Sequence, residues 1–353
     1  MPFFSTWVST SSPIGFLESQ YKPVMCVKRV SILLILFLTT ACQPVNNSAL
    51  SEVESVSQFL SLLGSREYIV EQHLVLKNAG PGTPEKQNLW VALIRDFPPY
   101  QEIRSQIIEP QDYTLVTDEY GNRYAEFDLS DHPAGTEKHI DINTRVLVND
   151  LEYDLSKCSG FLTDEFLQPE LHIESDNPQI VRLTEKLAVG KLNACQQIRR
   201  FYDYLGDELT YTYNGKNWGA QAALGSMGAD CTEYASLLAA MSRAAGVPSR
   251  YFEGLRYLKD GEIADALIQH AWPDVYLPGI GWVGLDPTLG RAPVNREAYF
   301  AHYTPDHIIL TMGASPSTLR GSSYWTHLYW PGDSTKISVE DAEWKIELAS
   351  GEN

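Results

Sequence analysis

Ala229-Asp230-Cys231-Thr232-Glu233-Tyr234-Ala235 opens an alanine- and leucine-rich run that decides how this chain is read. Ala235, Leu238 and Met241 recur at helical spacing, which predicts a helix from Cys231 to Ala245 with a buried side. Gly246 closes it as a C′ residue, and Pro248 prevents continuation. Cys231 is then the first residue of a helix, near the positive end of its dipole, a position that favours thiolate. Two strand-like stretches follow. Ala266-Leu267-Ile268-Gln269-His270-Ala271-Trp272 carries a histidine, and Trp282-Val283-Gly284-Leu285 runs into Asp286-Pro287-Thr288. Cysteine, histidine and aspartate in this order are the set needed for a thiol nucleophile, its base and the group that orients the base. Each has an ordinary explanation when taken alone: a small buried hydrophobe, a satisfied core histidine, a turn-forming aspartate. Their coincidence is what carries weight.

Further stretches extend the pattern: Arg243-Ala244-Ala245-Gly246-Val247-Pro248-Ser249-Arg250, Gln269-His270-Ala271-Trp272 and Gly281-Trp282-Val283-Gly284-Leu285-Asp286-Pro287-Thr288. Over roughly residues 178–315 the chain resembles the transglutaminase-like superfamily, whose core is papain-related. Bacterial members carry a pattern close to G-D-C-T-E-[HY]-A followed by R-A-x-G-[IV]-P-[AS]-R; here Ala229 stands where glycine is usual. The resemblance implies an α+β fold, with a helix carrying Cys231 packed on an antiparallel sheet carrying His270 and Asp286, preceded by a small β-rich domain. It also implies cysteine acyl transfer. Cys231 attacks an amide or peptide carbonyl, His270 protonates the departing amine, and a thioester forms. Water then gives a protease or amidase, an amine gives a transglutaminase, and hydrolysis is the expected outcome. One oxyanion donor is expected to be the backbone N–H of Cys231; the second is Trp218, Gln221 or Tyr213. Trp272 and Trp282 are expected to wall the site, Arg250 to pair with an acid inside the fold, and Glu233 to serve the helix terminus. The alternative is a non-catalytic module that keeps the fold for binding or assembly.

Residues 1–41 read as targeting. Lys28 and Arg29 precede an apolar run from Val30 to Leu38, too short to span a bilayer, and Thr39-Thr40-Ala41 supplies small residues before Cys42. Met25 is a better start for such a signal than Met1. A cysteine directly after Ala41 resembles a bacterial lipobox, which implies lipidation at Cys42. With Gln43 next to it, the analogy points to an outer-membrane anchor facing the periplasm. The formal charge is −18. Residues 1–41 contribute Lys22, Lys28 and Arg29 against Glu18, so the remainder stands near −20. Such acidity argues against nucleic acid as a partner and against charge-driven docking on anionic lipid. A peptide or protein substrate is the expected partner, and oligomeric state is not legible.

The expected domains are a signal at 1–41, a lipidated polar leash at 42–65, a β-rich domain at 66–155, a linker at 156–177, a catalytic domain at 178–335 and a tail at 336–353. In the β-rich part the candidate strands are His73–Leu76, Leu89–Ile94, Tyr113–Thr117, Arg123–Leu129 and His139–Val148, with a hairpin turn over Asp118–Asn122. Asn177 and Pro178 start a helix through Ile180, Leu183 and Leu187, and a second runs from about Asn193 to Leu205. Of the five cysteines, Cys26 lies in the signal. Cys158 and Cys195 are left as an even pair. A bridge between them is one reading; burial of Cys195 in a helical core is the other, and the helical pattern favours it. His302 and His307 do not have a metal-ligand pattern, no zinc or calcium motif appears, and no cofactor is expected.

Overall fold

The computed structural model describes residues 59–213, 218–225, 227–258, 268–314, 324–329, 333, 335 and 337–349. All of them lie within one compact unit, Asn47–Asn353. Residues 1–58, on which the expected signal and the lipidation site Cys42 fall, lie outside the described residues, as does Cys26.

Period-two patterning builds the first half. Strand β1 (Leu60–Asn78) buries every second residue from Tyr68 through Val70, Gln72, Leu74 and Leu76 to Asn78. It is followed by β2 (Gln87–Leu93), β3 (Gln101–Glu109), β4 (Tyr113–Thr117), β5 (Arg123–Asp128) and β6 (Glu137–Tyr153). β1 and β6 pair antiparallel from Leu60 opposite Tyr153 to Lys77 opposite Glu137, with a bulge between Leu62 and Gly64. β3 and the short β10 (His302–Tyr303) also pair with β6, and β13 (Ile337–Leu348) pairs with β1. A second sheet has the order β12 (Trp325–Tyr329), β2, β5, β4. The apolar faces of the two sheets meet through Leu74, Leu76, Ile140 and Ile142 on one side and Leu89, Val91 and Phe127 on the other.

Two elements depart from the sequence expectation. β3 is missing from it because only Gln101 and Ile108 of this polar strand are buried. Residues 336–353, expected as a tail, contain β13, which pairs with β1 from Leu348 opposite Tyr68 to Ile337 opposite Asn78, with a bulge between Val75 and Leu76. Its sequence carries charge at most second positions, so it reads as solvated even though its backbone is paired.

The second half holds the helices and a third antiparallel sheet. Helix α1 (Pro178–Leu187) is capped by Asn177, whose side chain accepts from the Gln179 N–H at 2.8 Å. Helix α2 (Ala194–Glu208) begins with a capping box between Asn193 and Gln196 and turns Ile198, Phe201 and Leu205 inward. A four-residue helix α3 (Ala220–Ala223) precedes α4 (Cys231–Ala244). The third sheet has the order β11 (His307–Met312), β7 (Ser249–Arg256), β8 (Gln269–Leu277), β9 (Gly281–Gly284). One core joins these parts: Tyr68, Tyr100 and Val146 share it with Phe201, Leu238, Phe252 and Trp272.

Cys158 and Cys195 form a disulfide. It ties the turn after β6 to the first turn of α2. The helical pattern favours an unbridged Cys195 packed in the core; the bridge corrects that expectation, although Cys195 is also buried, at 7% exposed. Among the described residues, no helix is long and apolar enough to cross a membrane.

Candidate active site

Helix α4 is buried nearly all round, from Glu233 to Arg243, which fixes its N-terminus within the fold. Asp230 caps it: its carboxylate accepts from the Thr232 N–H at 3.1 Å, while Glu233 reaches back to the Asp230 N–H at 2.9 Å. That reciprocal pair is the role Glu233 plays, serving the cap residue rather than the helix's first amides. The glycine this turn requires is Gly228, at φ +85°, where a Cβ would meet Thr212 at 2.5 Å. Ala229 has no such positive φ. It pairs with Tyr211 in an isolated parallel bridge, and its carbonyl accepts from Thr212 at 2.9 Å.

Cys231 is the first residue of α4, partly exposed, and its sulfur accepts from the backbone N–H of Ala271. The nucleophile candidate therefore touches the residue that follows His270 in the chain. Its electrostatic setting differs from the expectation of a helix-stabilised thiolate. Burial pushes the Cys231 thiol well up, and the charges of Asp230, Glu253 and Asp286 add to this against the Ala271 N–H. Burial is the larger cause and the carboxylates add to it, both opposing the thiolate that a helix N-terminus favours.

His270 lies on β8 opposite Gly254 of β7. The missing side chain at Gly254 has a purpose: a Cβ there would meet the Trp272 ring at 2.8 Å and the Ile308 carbonyl at 2.1 Å. The indole of Trp272 fills that space and stacks on His270 at 5.7 Å between centroids and 25° between planes. Trp272 thus walls the site as expected. Trp282 is placed differently: it lies 3.8 Å from the Arg250 guanidinium and edge-on to Phe166 and Tyr276. Arg250 pairs with buried Asp274, its Nε 3.0 Å from Oδ1, the internal acid expected for it.

Asp286 is 2% exposed and every lone-pair direction of its carboxylate is in use. Oδ1 accepts the N–H groups of Thr288 and Leu289, each at 2.9 Å. Oδ2 accepts from His270 Nε2 at 2.7 Å and from His307 Nε2 at 3.0 Å. The backbone is held as well, since Tyr202 Oη of α2 donates to the Asp286 carbonyl at 2.9 Å. Burial alone would raise this carboxyl; the two histidines override it and hold it below the usual carboxylate range. Because a carboxylate only accepts, Nε2 of His270 must carry its hydrogen, leaving Nδ1 as the basic nitrogen.

Sequence reasoning missed His307 and Tyr211. His307 opens the apolar strand β11, and nothing local in the sequence sets it apart from a core histidine. Tyr211 is bridged to Ala229, and burial together with the nearby Cys231 and Asp230 groups pushes its hydroxyl up to about 12. The three oxyanion candidates lie in the same region of chain. Tyr213 is 68% exposed, Trp218 stands edge-on to His172 at 5.9 Å, and Gln221 at the start of α3 donates its N–H to Glu174 at 3.1 Å.

Among the described residues, His270, Asp286 and His307 bring one polar atom each within 4.8 Å of one another. Both imidazole Nε2 atoms already donate to one Asp286 oxygen, so the cluster is held by protons and does not suit a cation. His302 lies apart, paired with Asp150 at 2.7 Å.

A family model described as the transglutaminase-like superfamily matches residues 181–287. The uncharacterized protein YebA of Bacillus subtilis (strain 168) is 27% identical over 131 residues, which cover 32% of this chain and 18% of that relative. The chain therefore spans less than a fifth of the curated relative it matches. A provisionally assigned cysteine protease of Cytophaga hutchinsonii has a similar fold, with a TM-score of 0.61 and 15% identity over 83% of this chain and 94% of that one. The periplasmic domain of TgpA from Pseudomonas aeruginosa superposes with a TM-score of 0.32 and 18% identity, over 64% of this chain and 90% of that one. The family match falls on the segment that carries Cys231, His270 and Asp286, and the fold is consistent with it: residues 181–287 are similar to the core of the transglutaminase-like superfamily.

Proposed function

We propose that this protein is a cysteine acyl-transfer enzyme that forms a thioester at Cys231 and hydrolyses a peptide or amide bond. The observation that carries the reading is the buried His270–Asp286 pair at 2.7 Å, with the Cys231 sulfur on the backbone N–H of the next residue, Ala271. His270 Nδ1 takes the thiol proton as sulfur attacks the carbonyl, and Asp286 stabilises the imidazolium that forms. The imidazolium returns that proton to the leaving amine, and water then releases the acid and frees the thiol. The Cys231 N–H and one of Trp218, Gln221 or Tyr213 are the proposed oxyanion donors. Transfer to an amine in place of water is the transamidating variant.

One observation favours the second reading, a binding or assembly module: the surroundings of Cys231 keep it a thiol. An activated peptide ester separates the two. Acid quenching within the first turnover should trap an acyl group on Cys231, absent from Cys231→Ala, that decays to free acid in water. No adduct at any time would leave the binding module.

The Cys158–Cys195 disulfide supports residence in an oxidising compartment. We place the protein in the cell envelope, anchored by lipid at Cys42 to the outer membrane and facing the periplasm. Loss of labelled fatty-acid incorporation in Cys42→Ala tests the anchor; incorporation that survives the substitution refutes it.

A further inference from the structure

His307 is a second imidazole on the triad carboxylate, and its own environment is unusual. It is 2% exposed, and each ring nitrogen faces a carboxylate. Nε2 lies 3.0 Å from Asp286 Oδ2; Nδ1 lies 3.3 Å from Asp306 Oδ1 and 2.9 Å from the Thr304 hydroxyl. Asp306 is in turn held by Arg256 Nε at 3.2 Å. Trp272 stands edge-on to the ring at 4.8 Å, and the rings of Tyr299 and Tyr303 complete its walls. The His270 ring is 5.6 Å away, centroid to centroid.

We infer that His307 is a positioning residue of the proposed Cys231–His270–Asp286 site, one that fixes the Asp286 carboxylate and competes with His270 for its Oδ2 oxygen. The inference rests on the acyl-transfer reading. A ring with a carboxylate at each nitrogen is best satisfied as a double donor, so His307 carries positive charge. Burial opposes that charge, but Asp306 and the bond to Asp286 raise this histidine to about 9. A fixed cation on Asp286 has two effects. It locks the carboxylate rotamer, because both oxygens are then fully bonded. It also occupies Asp286 Oδ2 together with His270, so His270 does not hold that oxygen alone.

The test follows the imidazole nitrogens and needs no substrate. In ¹H–¹⁵N spectra of the full chain at pH 7.5, His307 should show hydrogen on both nitrogens. In His307→Gln, which keeps a donor but loses the charge, the His270 Nε2–H resonance should move downfield as its bond to Asp286 Oδ2 loses a charged competitor. Asp306→Asn covers the case in which that variant fails to fold: His307 stays in place, and its own midpoint should fall by at least one unit. A singly protonated His307 at pH 7.5, or a His270 Nε2–H resonance unmoved in a folded His307→Gln, overturns the inference. The acyl-transfer reading fails separately, by the lack of a Cys231 adduct in wild-type protein whose His307 is doubly protonated as described.

Discussion

Breaking the Cys158–Cys195 bridge tests the fold at the point where it supports the site. The bridge closes 37 residues of chain, from the turn after β6 to the start of α2. In the chain-entropy treatment a loop of that length contributes about 4 kcal/mol at 25 °C. For a folded unit of about 300 residues that corresponds to a fall of roughly 6 °C in Tm. The perturbation is Cys158→Ala/Cys195→Ala, compared with wild type by thermal melting and urea unfolding. Most of the loss should arise in the unfolded state, so the native geometry should persist below the transition. The structural reason is α2 itself: Ile198, Phe201 and Leu205 are fully buried, and Tyr202 remains bonded to the Asp286 carbonyl at 2.9 Å. Alkylation of Cys231 at 25 °C should therefore keep its dependence on His270. A stability change below about 1 kcal/mol, or two additional free thiols in native protein prepared under oxidising conditions, would refute the reasoning.

Other perturbations probe the site more closely. Gly254→Ala places a Cβ 2.1 Å from the Ile308 carbonyl and against the Trp272 ring, so it should cost about 3 kcal/mol in urea unfolding; a loss under 1 kcal/mol would mean the sheet yields easily. His307 is raised in the folded state from 6.5 to about 9, so its stabilisation is complete below pH 6.5 and disappears as pH rises through about 9. Melting wild type and His307→Gln side by side from pH 6 to 10 should show their difference shrink across that window, by at most about 3 kcal/mol; a difference independent of pH contradicts the assignment. Asp286→Asn removes the acceptor that fixes the His270 tautomer, and acylation of Cys231 should slow by about 10²–10⁴-fold, with unchanged rates as the refuting result.

The readable part of this protein is the part whose chemistry is local. Cys231 is marked by the helix it opens, His270 and Asp286 by strand-like runs that end near them, and α1 and α2 by asparagine caps. Each signal lies within a few residues of the feature it announces. Alternation likewise exposes β4 and β5, which form a hairpin around Asp118–Asn122. What was hidden depends on distant partners. β13 reaches β1 across most of the chain, so its pairing is absent from its own charged sequence. His307 enters the site only because β11 pairs with β7, which lays its ring on Asp286, 21 residues away. The same limit applies to the thiol. A helix N-terminus is visible in sequence and argues for thiolate, but burial of the sulfur, and the approach of Asp230, Glu253 and Asp286 to it, arise only in the fold and push the thiol up.

The account rests on His270 acting as the base for Cys231, and iodoacetamide labelling of that thiol against pH measures it most directly. Wild-type protein and His270→Ala are compared across pH 6 to 10, with the site of labelling read by peptide mapping. Because burial and nearby carboxylates hold the isolated thiol protonated, His270→Ala should label slowly until strongly alkaline pH. Wild type should label at least about tenfold faster near neutrality, the gain expected from a positioned base. Superimposable profiles would show that His270 does not take the proton, and would contradict the acyl-transfer mechanism.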